Sequence, residues 1–400
     1  MELLEVLETV RAEEASVQRL FGGEGTGMRS VPNRENPAYM RKLAEAATLL
    51  SNVRTGRWPD YYLREAMSSS DFPYLFGDIL DRTMLSRYTY WEATWPAIAN
   101  VHIARDFRDI KRFLPHTGLE GELENVAELA EYQYDSLTEQ APITYAVQKM
   151  GRKAAISWET LINDDLGSFD GDSSIPTRFA AAARVSEELA ITRLYVDANG
   201  PHASMYTTGN KNRVHSENGA LDDNTPFSIE GLQDAYKVLG AMVDETGRPI
   251  QNPMFTLVVP PALEVTANNL LNATSIELRA DAGTDNQRLS VVNWMRSKLR
   301  LVVNPYIPLV ATNANGNTSW FLFATPGGGN RPAIEMAFLR GYEQPQIFMK
   351  DSNQRRVGGG AANILDGSFE NDAIEYKVRH VFGATRIDAK RSVASNGSSS

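Results

Sequence analysis

The 400-residue sequence predicts an α+β fold, of two lobes or of one lobe with long excursions, and three observations carry that prediction. The chain is longer than a single hydrophobic core usually serves. Residues 174–196 have the pattern of a long buried helix, while 254–259, 299–304 and 373–383 read as strands. Finally, 101–114 and 142–150 read as the two sides of a ribbon enclosing residues 116–140, which hold seven carboxylates and no Lys or Arg.

Taken in order, residues 1–20 place Leu3, Leu4, Val6, Leu7 and Val10 on a broad apolar face, a short helical pattern. A Gly-, Asn- and Pro-rich connector at 22–37 leads to a second helical piece around 38–53. Residues 1–70 are therefore expected to be an arm, with too little apolar mass to fold alone. In the ribbon, Ile143, Tyr145 and Val147 alternate with Thr144, Ala146 and Gln148, the period of a strand with two unlike faces. A connection of this length is unusual inside a compact domain, so the ribbon is expected to project. After Gly151 the pattern is expected to turn helical, with Ser157 as the cap and Glu159 in the first turn.

For the helix at 174–196, Ser174 is the expected cap and Pro176 falls in the first turn, where its missing N–H does no harm. Ala182, Val185, Leu189 and Val196 share the spacing of one buried face. Residues 199–330 read as mixed α and β, with helices at 228–243 and 261–273 and a strand in 319–326. Strands return at 333–341, 346–350 and 373–383, where Ile374, Tyr376, Val378 and His380 alternate with Glu375, Lys377 and Arg379. The closing SNGSSS reads as a disordered tail.

Composition excludes more chemistry than it suggests. The absence of cysteine removes disulfides, thiolate zinc sites and Cys nucleophiles. The five histidines have no metal-ligand spacing. GGEGTGMRS at 22–30 has the glycine spacing of a P-loop but Met28 in place of its Lys, and no strand precedes it. The acidic pairs Asp164–Asp165, Asp170–Asp172 and Asp222–Asp223 follow no calcium-loop register. No metal, cofactor or catalytic residue is expected. A net charge of −10 argues against nucleic acid as a tightly gripped ligand. Glu2, Glu5 and Glu8 oppose a signal peptide, and no apolar run approaches the roughly 20 residues of a membrane span.

The ordered set of features resembles the major capsid proteins of tailed bacteriophages, with the Hong Kong 97-type fold. The cues are VQKMGRKAAISWETLINDDLGSF at 147–169, ARVSEELAITRLYVDANG at 183–200, SWFLFATP at 319–326 and IEMAFLRGYEQPQI at 334–347. Their order along about 75–390 makes the resemblance. It implies an N-terminal arm (1–70), an extended two-stranded loop (101–156) and a peripheral domain with a long spine helix (71–100, 157–198 and 331–390). It further implies an axial α/β domain (199–330) and a flexible tail (391–400). The implied function is a non-enzymatic subunit that self-assembles into hexamers and pentamers of an icosahedral head enclosing double-stranded DNA. Its implied partners are copies of itself, a separate scaffolding protein, a portal, decoration proteins and loosely held DNA, with assembly in the host cytoplasm and no membrane.

In this reading the ribbon lies over the neighbouring subunit. The acids Glu120, Glu122, Glu124, Glu128, Glu131 and Asp135 would make the contact. Candidate basic partners are Arg296, Lys298 and Arg300, or Lys377 and Arg379, each set spaced to put like charges on one strand face. Some family members cross-link a loop Lys to a neighbour's Asn. Here the nearest lysines, Lys111 and Lys149, are set back from the tip, so no such cross-link is expected. Two alternatives remain: an encapsulin-type cargo shell, and a cytoplasmic acidic hydrolase using Asp164, Asp165 or Glu159.

Overall fold

The computed structural model describes residues 72–113, 115–117, 125–126, 128–129, 131–132, 137–139, 142–157, 159, 174–213, 225–243, 247, 250, 254–279, 288–293, 295, 298–327, 332–355, 357–358 and 367–397. The arm at 1–70, the acidic pairs and most of the acidic tip lie outside these residues.

Strand β16 (Ala373–Arg386) organises the peripheral lobe. Its even-numbered residues from Ile374 to Phe382 are buried, as the alternation predicts. Along 373–382 it pairs antiparallel with β6 (Gln148–Ser157). Its other edge carries β14 (Ile334–Leu339) and then β15 (Gln346–Met349), both antiparallel and laid end to end. Strand β1 (Ala99–Ala104) adds to β14 in parallel. Helix α1 (Phe72–Tyr90) and the spine helix α2 (Ile175–Tyr195) cover one face of this sheet.

The axial lobe is built on a sheet in the order β12 (Leu299–Val303), β9 (Phe255–Val259), β13 (Trp320–Ala324), β17 (Ser392–Ser395). FTLVV and WFLFA are buried at every position, because this sheet is covered on both faces. Phe255, Leu257, Val259, Trp320 and Leu322 meet helices α3 (Ile229–Gly240) and α4 (Glu264–Asn272). Val258, Phe321 and Phe323 face the spine instead, where Tyr195 meets both phenylalanine rings edge-on at 4.9 and 5.2 Å. The same core takes in Ile334, Met336, Phe338 and Phe382 of the peripheral sheet. One apolar cluster thus spans both lobes across the spine helix.

Short pairs complete the described elements: β2 (Ile110–Arg112), β3 (Pro115–Thr117), β4 (Leu137–Glu139), β5 (Ile143–Tyr145), β7 (Val196–Asp197), β8 (Gly200–Pro201), the hairpin β10 (Ser275–Arg279) with β11 (Arg288–Val292), and the one-turn helix α5 (Ile307–Val310).

The structure departs from expectation at four places. The ribbon does not begin at 101, since β1 belongs to the sheet and ends at Ala104. Gly151 does not end its strand, because β6 runs on to Ser157. Glycine is needed there for a different reason: a Cβ at Gly151 would sit 2.7 Å from the carbonyl oxygen of Val378. Residues 391–397 are not a flexible tail, for Arg391 is buried and β17 completes the axial sheet beside β13. Small residues in SVAS read as disorder, but they fit a position closed in on both faces.

The fourth departure is the spine. Ser174 caps it as expected, its Oγ accepting from the Thr177 N–H at 3.4 Å. Its buried stripe, however, contains Ala180, Ala183, Glu187, Glu188, Ile191, Thr192 and Tyr195, while Ala182, Val185 and Leu189 are only half-buried. Two carboxylates occupy the face that periodicity assigned to solvent.

Candidate functional site: the ribbon, its base and the spine

The ribbon leaves the peripheral sheet after Ala104 through an exposed bend at Arg105–Asp109. Antiparallel pairing then joins β2 to β5, with Ile110 opposite Tyr145 and Arg112 opposite Ile143. It continues between β3 and β4, with Pro115 opposite Glu139. Among the described residues these strands pair only with one another. At the tip, Glu128 and Glu131 are exposed, as are Leu129 and Tyr132 at 102% and 82%. Glu120, Glu122, Glu124 and Asp135 lie outside the described residues.

One carboxylate grips both ribbon strands at their base. Glu335, on β14, takes a two-pronged pair from Arg112 of β2, Nε to Oε1 and Nη2 to Oε2, each 2.8 Å. The Tyr145 hydroxyl of β5 donates to the same Oε1. Beside them Ala104, Val147, Ala337, Leu339 and Val381 form a small core, with Ile110 and Tyr145 packed against it. A Cβ at Gly383 would come within 2.4 Å of the Ala146 carbonyl oxygen, so only glycine lets β16 pass the returning chain this closely. Burial, then the hydrogen bond and charge of Glu335, push the Tyr145 phenol far above its ordinary range, so it stays a donor.

The proposed basic partners fall on two different sheets. Lys298 is not in a strand; it stands in the turn before β12, with its Nζ 3.4 Å from the Tyr236 hydroxyl. Arg300 is exposed on β12, and Arg296 lies outside the described residues. Lys377 and Arg379 do share the outward face of β16, both over the Phe348 ring at 4.9 and 4.7 Å, with Arg379 also 5.5 Å from Tyr342. The β6 register adds Lys153, directly opposite Lys377. Nothing in the spacing of KMGRK marked Lys153; only the strand pairing brings it here. Like charges face to face across a ladder are unfavourable unless an anion joins them.

Beneath the opposite face lies a buried charge network. Glu187 is fully buried and accepts from Trp95 Nε1 at 3.1 Å, Arg184 Nη1 at 2.9 Å and the Tyr88 hydroxyl. His380 Nε2 on β16 lies 2.7 Å from the same carboxylate. Burial alone would raise the pKa of Glu187, but His380, then Arg184 and Tyr88, more than reverse it and hold the group below its ordinary value. Glu188 accepts from the Thr94 hydroxyl at 2.6 Å and the Trp95 N–H at 3.4 Å, and burial holds its pKa above the ordinary value. The pair joins α1, the turn at Trp95–Ala97, the spine and the sheet. Neither was foreseen. The available signal was two adjacent acids in an Ala-rich helix, just as the signal for Glu335 was one acid inside the apolar run IEMAFL.

The phage capsid protein family matches residues 140–395, most of the chain. The chain belongs to that family. This capsid protein is thus a structural subunit of a phage shell, of a non-enzymatic class. Its fold is α+β, with a two-stranded ribbon, a long spine helix and two main sheets. No curated protein matches it. Among solved structures it is similar to the Cyanophage Pam1 capsid (TM-score 0.44, 12% identity, covering 76% of this chain and 90% of that one). It is also similar to Gordonia phage Cozz (0.43, 13%, covering 76% and 88%). A holo encapsulin complex from Synechococcus elongatus scores 0.43 at 10% identity, covering 75% and 85%. No described helix is long and apolar enough to cross a membrane.

Two half-buried histidines are expected to make the capsid subunit acid-sensitive. Burial, then Arg112, lowers the pKa of His102, and burial, then Arg386, lowers that of His202. The folded state therefore binds fewer protons than the unfolded one just below the ordinary value of about 6.5. Their stabilisation is complete above that pH and declines as pH falls. Glu187 keeps its own contribution through this window, since its pKa is depressed; Glu188, held high, opposes the trend once it takes up a proton. Melting temperature is expected to fall between about pH 7.5 and 5.5. Scanning calorimetry of His102→Gln/His202→Gln should show that slope flattened, and an unchanged slope refutes the assignment.

Proposed function

We propose that this subunit assembles with copies of itself into hexamers and pentamers of an icosahedral head around a double-stranded DNA genome, with the ribbon laid over the next subunit. The observation that carries the reading is the ribbon itself. Its strands pair with nothing else described, and it displays Phe107, Phe113, Leu129 and Tyr132 to solvent. Ordering such an element costs conformational entropy that its own contacts repay poorly. The outer edge of β6, exposed from Gln148 to Lys153, is a second surface without a described partner strand.

In this reading the acidic tip meets the β15–β16–β6 face of a neighbour. Glu128, Glu131 and the acids around them complement Lys153, Lys377 and Arg379, and Leu129 and Tyr132 complement Phe348 and Tyr342. Lys298 and Arg300 fit less well, since Lys298 stands in a turn and only Arg300 of the two is on a strand; Arg296 lies outside the described residues. Assembly in the host cytoplasm, with portal, scaffolding and decoration proteins as further partners, belongs to the same proposal.

Sedimentation and negative-stain microscopy of the purified chain test it. Capsomers or shells at micromolar concentration are expected, since permanent interfaces bury about 2,000 Å² or more. A sharp, stable monomer at high concentration overturns it.

A further inference from the structure

The base of the ribbon holds an arrangement that the shell does not by itself require. Both strands are tethered to the body by unpaired chain, Arg105–Asp109 on one side and Ala146–Val147 on the other. Beside the small core under Ile110 and Tyr145, the directional contact is Glu335, which touches both strands at once: Arg112 on the outgoing strand and Tyr145 on the returning one. In the β2–β5 register, Ile110, Arg112, Ile143 and Tyr145 share one ribbon face, the face turned to β14. Glu335 is 6% exposed and lies on a strand paired on both sides, so it cannot follow a tilting ribbon. A guanidinium fork on a carboxylate is directional as well as attractive.

We propose that Glu335, with Arg112 and Tyr145, is a positioning latch that sets the angle at which the ribbon leaves the subunit, and through it the geometry of assembly. The inference rests on the shell reading above. An extended chain covers about 3.3 Å per residue, so the ribbon reaches at most roughly 50 Å from Arg112 to Glu128, and a tilt of about 10° at its base moves the tip by several ångströms. That exceeds the tolerance of a hydrogen bond between tip and neighbour. The latch therefore acts on assembly through direction.

The test compares full-length wild type, Glu335→Gln and Arg112→Lys. Glu335→Gln removes the charge at nearly constant shape, and Arg112→Lys keeps the charge but breaks the fork. Amide hydrogen exchange before assembly reads the latch directly. At 110–112 and 143–145 both variants should exchange on the order of tenfold faster or more, as expected for local opening, with the 373–382 amides unchanged. Microscopy reads the consequence: wild type gives uniform particles, and the variants give mixed sizes or open sheets. Unchanged exchange at the ribbon base overturns the latch, and so do uniform variant particles at wild-type yield. Should Glu335→Gln misfold, Arg112→Lys decides the matter alone by the same two readings. Should wild type form no particles, the shell reading fails, and the exchange measurement still decides whether the latch exists.

Discussion

Replacing Glu187 by alanine is expected to lower the unfolding free energy of the capsid subunit by roughly 3–5 kcal/mol, the cost of breaking a buried charge pair from one side. Four groups converge on this carboxylate from three elements and a turn: Tyr88 on α1, Trp95 in the turn that follows, Arg184 on the spine and His380 on β16. The truncation leaves the Arg184 charge, 14% exposed, without its counter-ion and strips the other three of their partner. Tyr88→Phe is the control. It removes one donor, keeps the ring on which Arg184 stacks at 3.8 Å, and should cost about 1 kcal/mol. Urea unfolding of both variants measures the difference, provided the denaturant slope stays constant. A loss below about 1 kcal/mol for Glu187→Ala would mean that water reaches the network and screens it.

The second large effect concerns assembly and leaves the monomer alone. Glu122→Lys, Glu124→Lys and Glu128→Lys together should leave the subunit soluble, with an unchanged melting profile, yet abolish shell formation. The carboxylates of 116–140 repel one another within a monomer, whereas in the proposed contact they would meet Lys153, Lys377 and Arg379 of a neighbour, a face on which Glu375 is the only described acid beside three cations. Lys350 on the same side is already paired with Glu375 at 2.9 Å and adds little. One exposed ion pair is worth at most about 1 kcal/mol, but the contact recurs with every subunit of a shell. Salt should weaken wild-type assembly in the same direction by screening. Normal particles from the triple variant would reduce the tip to a solvated loop. A variant that misfolds as a monomer would place the acids inside the subunit.

The elements legible in the sequence are those whose side chains answer to a local rule. Strand β16 announced itself because alternate residues must separate a buried from an exposed face, and Ile374, Tyr376 and Val378 did so without reference to any partner. Ser174 and Pro176 marked the start of the spine because the orphan N–H groups of a first turn demand a cap wherever the helix is placed. FTLVV and WFLFA read as strands from their short apolar runs, although the hydroxyl of Thr256 is buried inside the first of them. Order along the chain then sufficed for the family.

What the sequence could not decide was which elements meet, since that is a property of pairs far apart in the chain. Residue 188 joins residue 94, 187 joins 380, and 112 and 145 join 335. A glutamate costs several kcal/mol to bury alone, so a local reading sends it to solvent; it becomes an interior residue only where the fold gathers donors around it. The same holds for SVAS, whose small residues signal disorder until the gap beside β13 receives them, and for Lys153, which faces Lys377 only because two strands pair in one register rather than the next. Local periodicity therefore determined the elements of this capsid protein and their order, while long-range pairing alone decided where its charges lie buried, how its ribbon is held and which basic side chains share the outer face of β16 and β6.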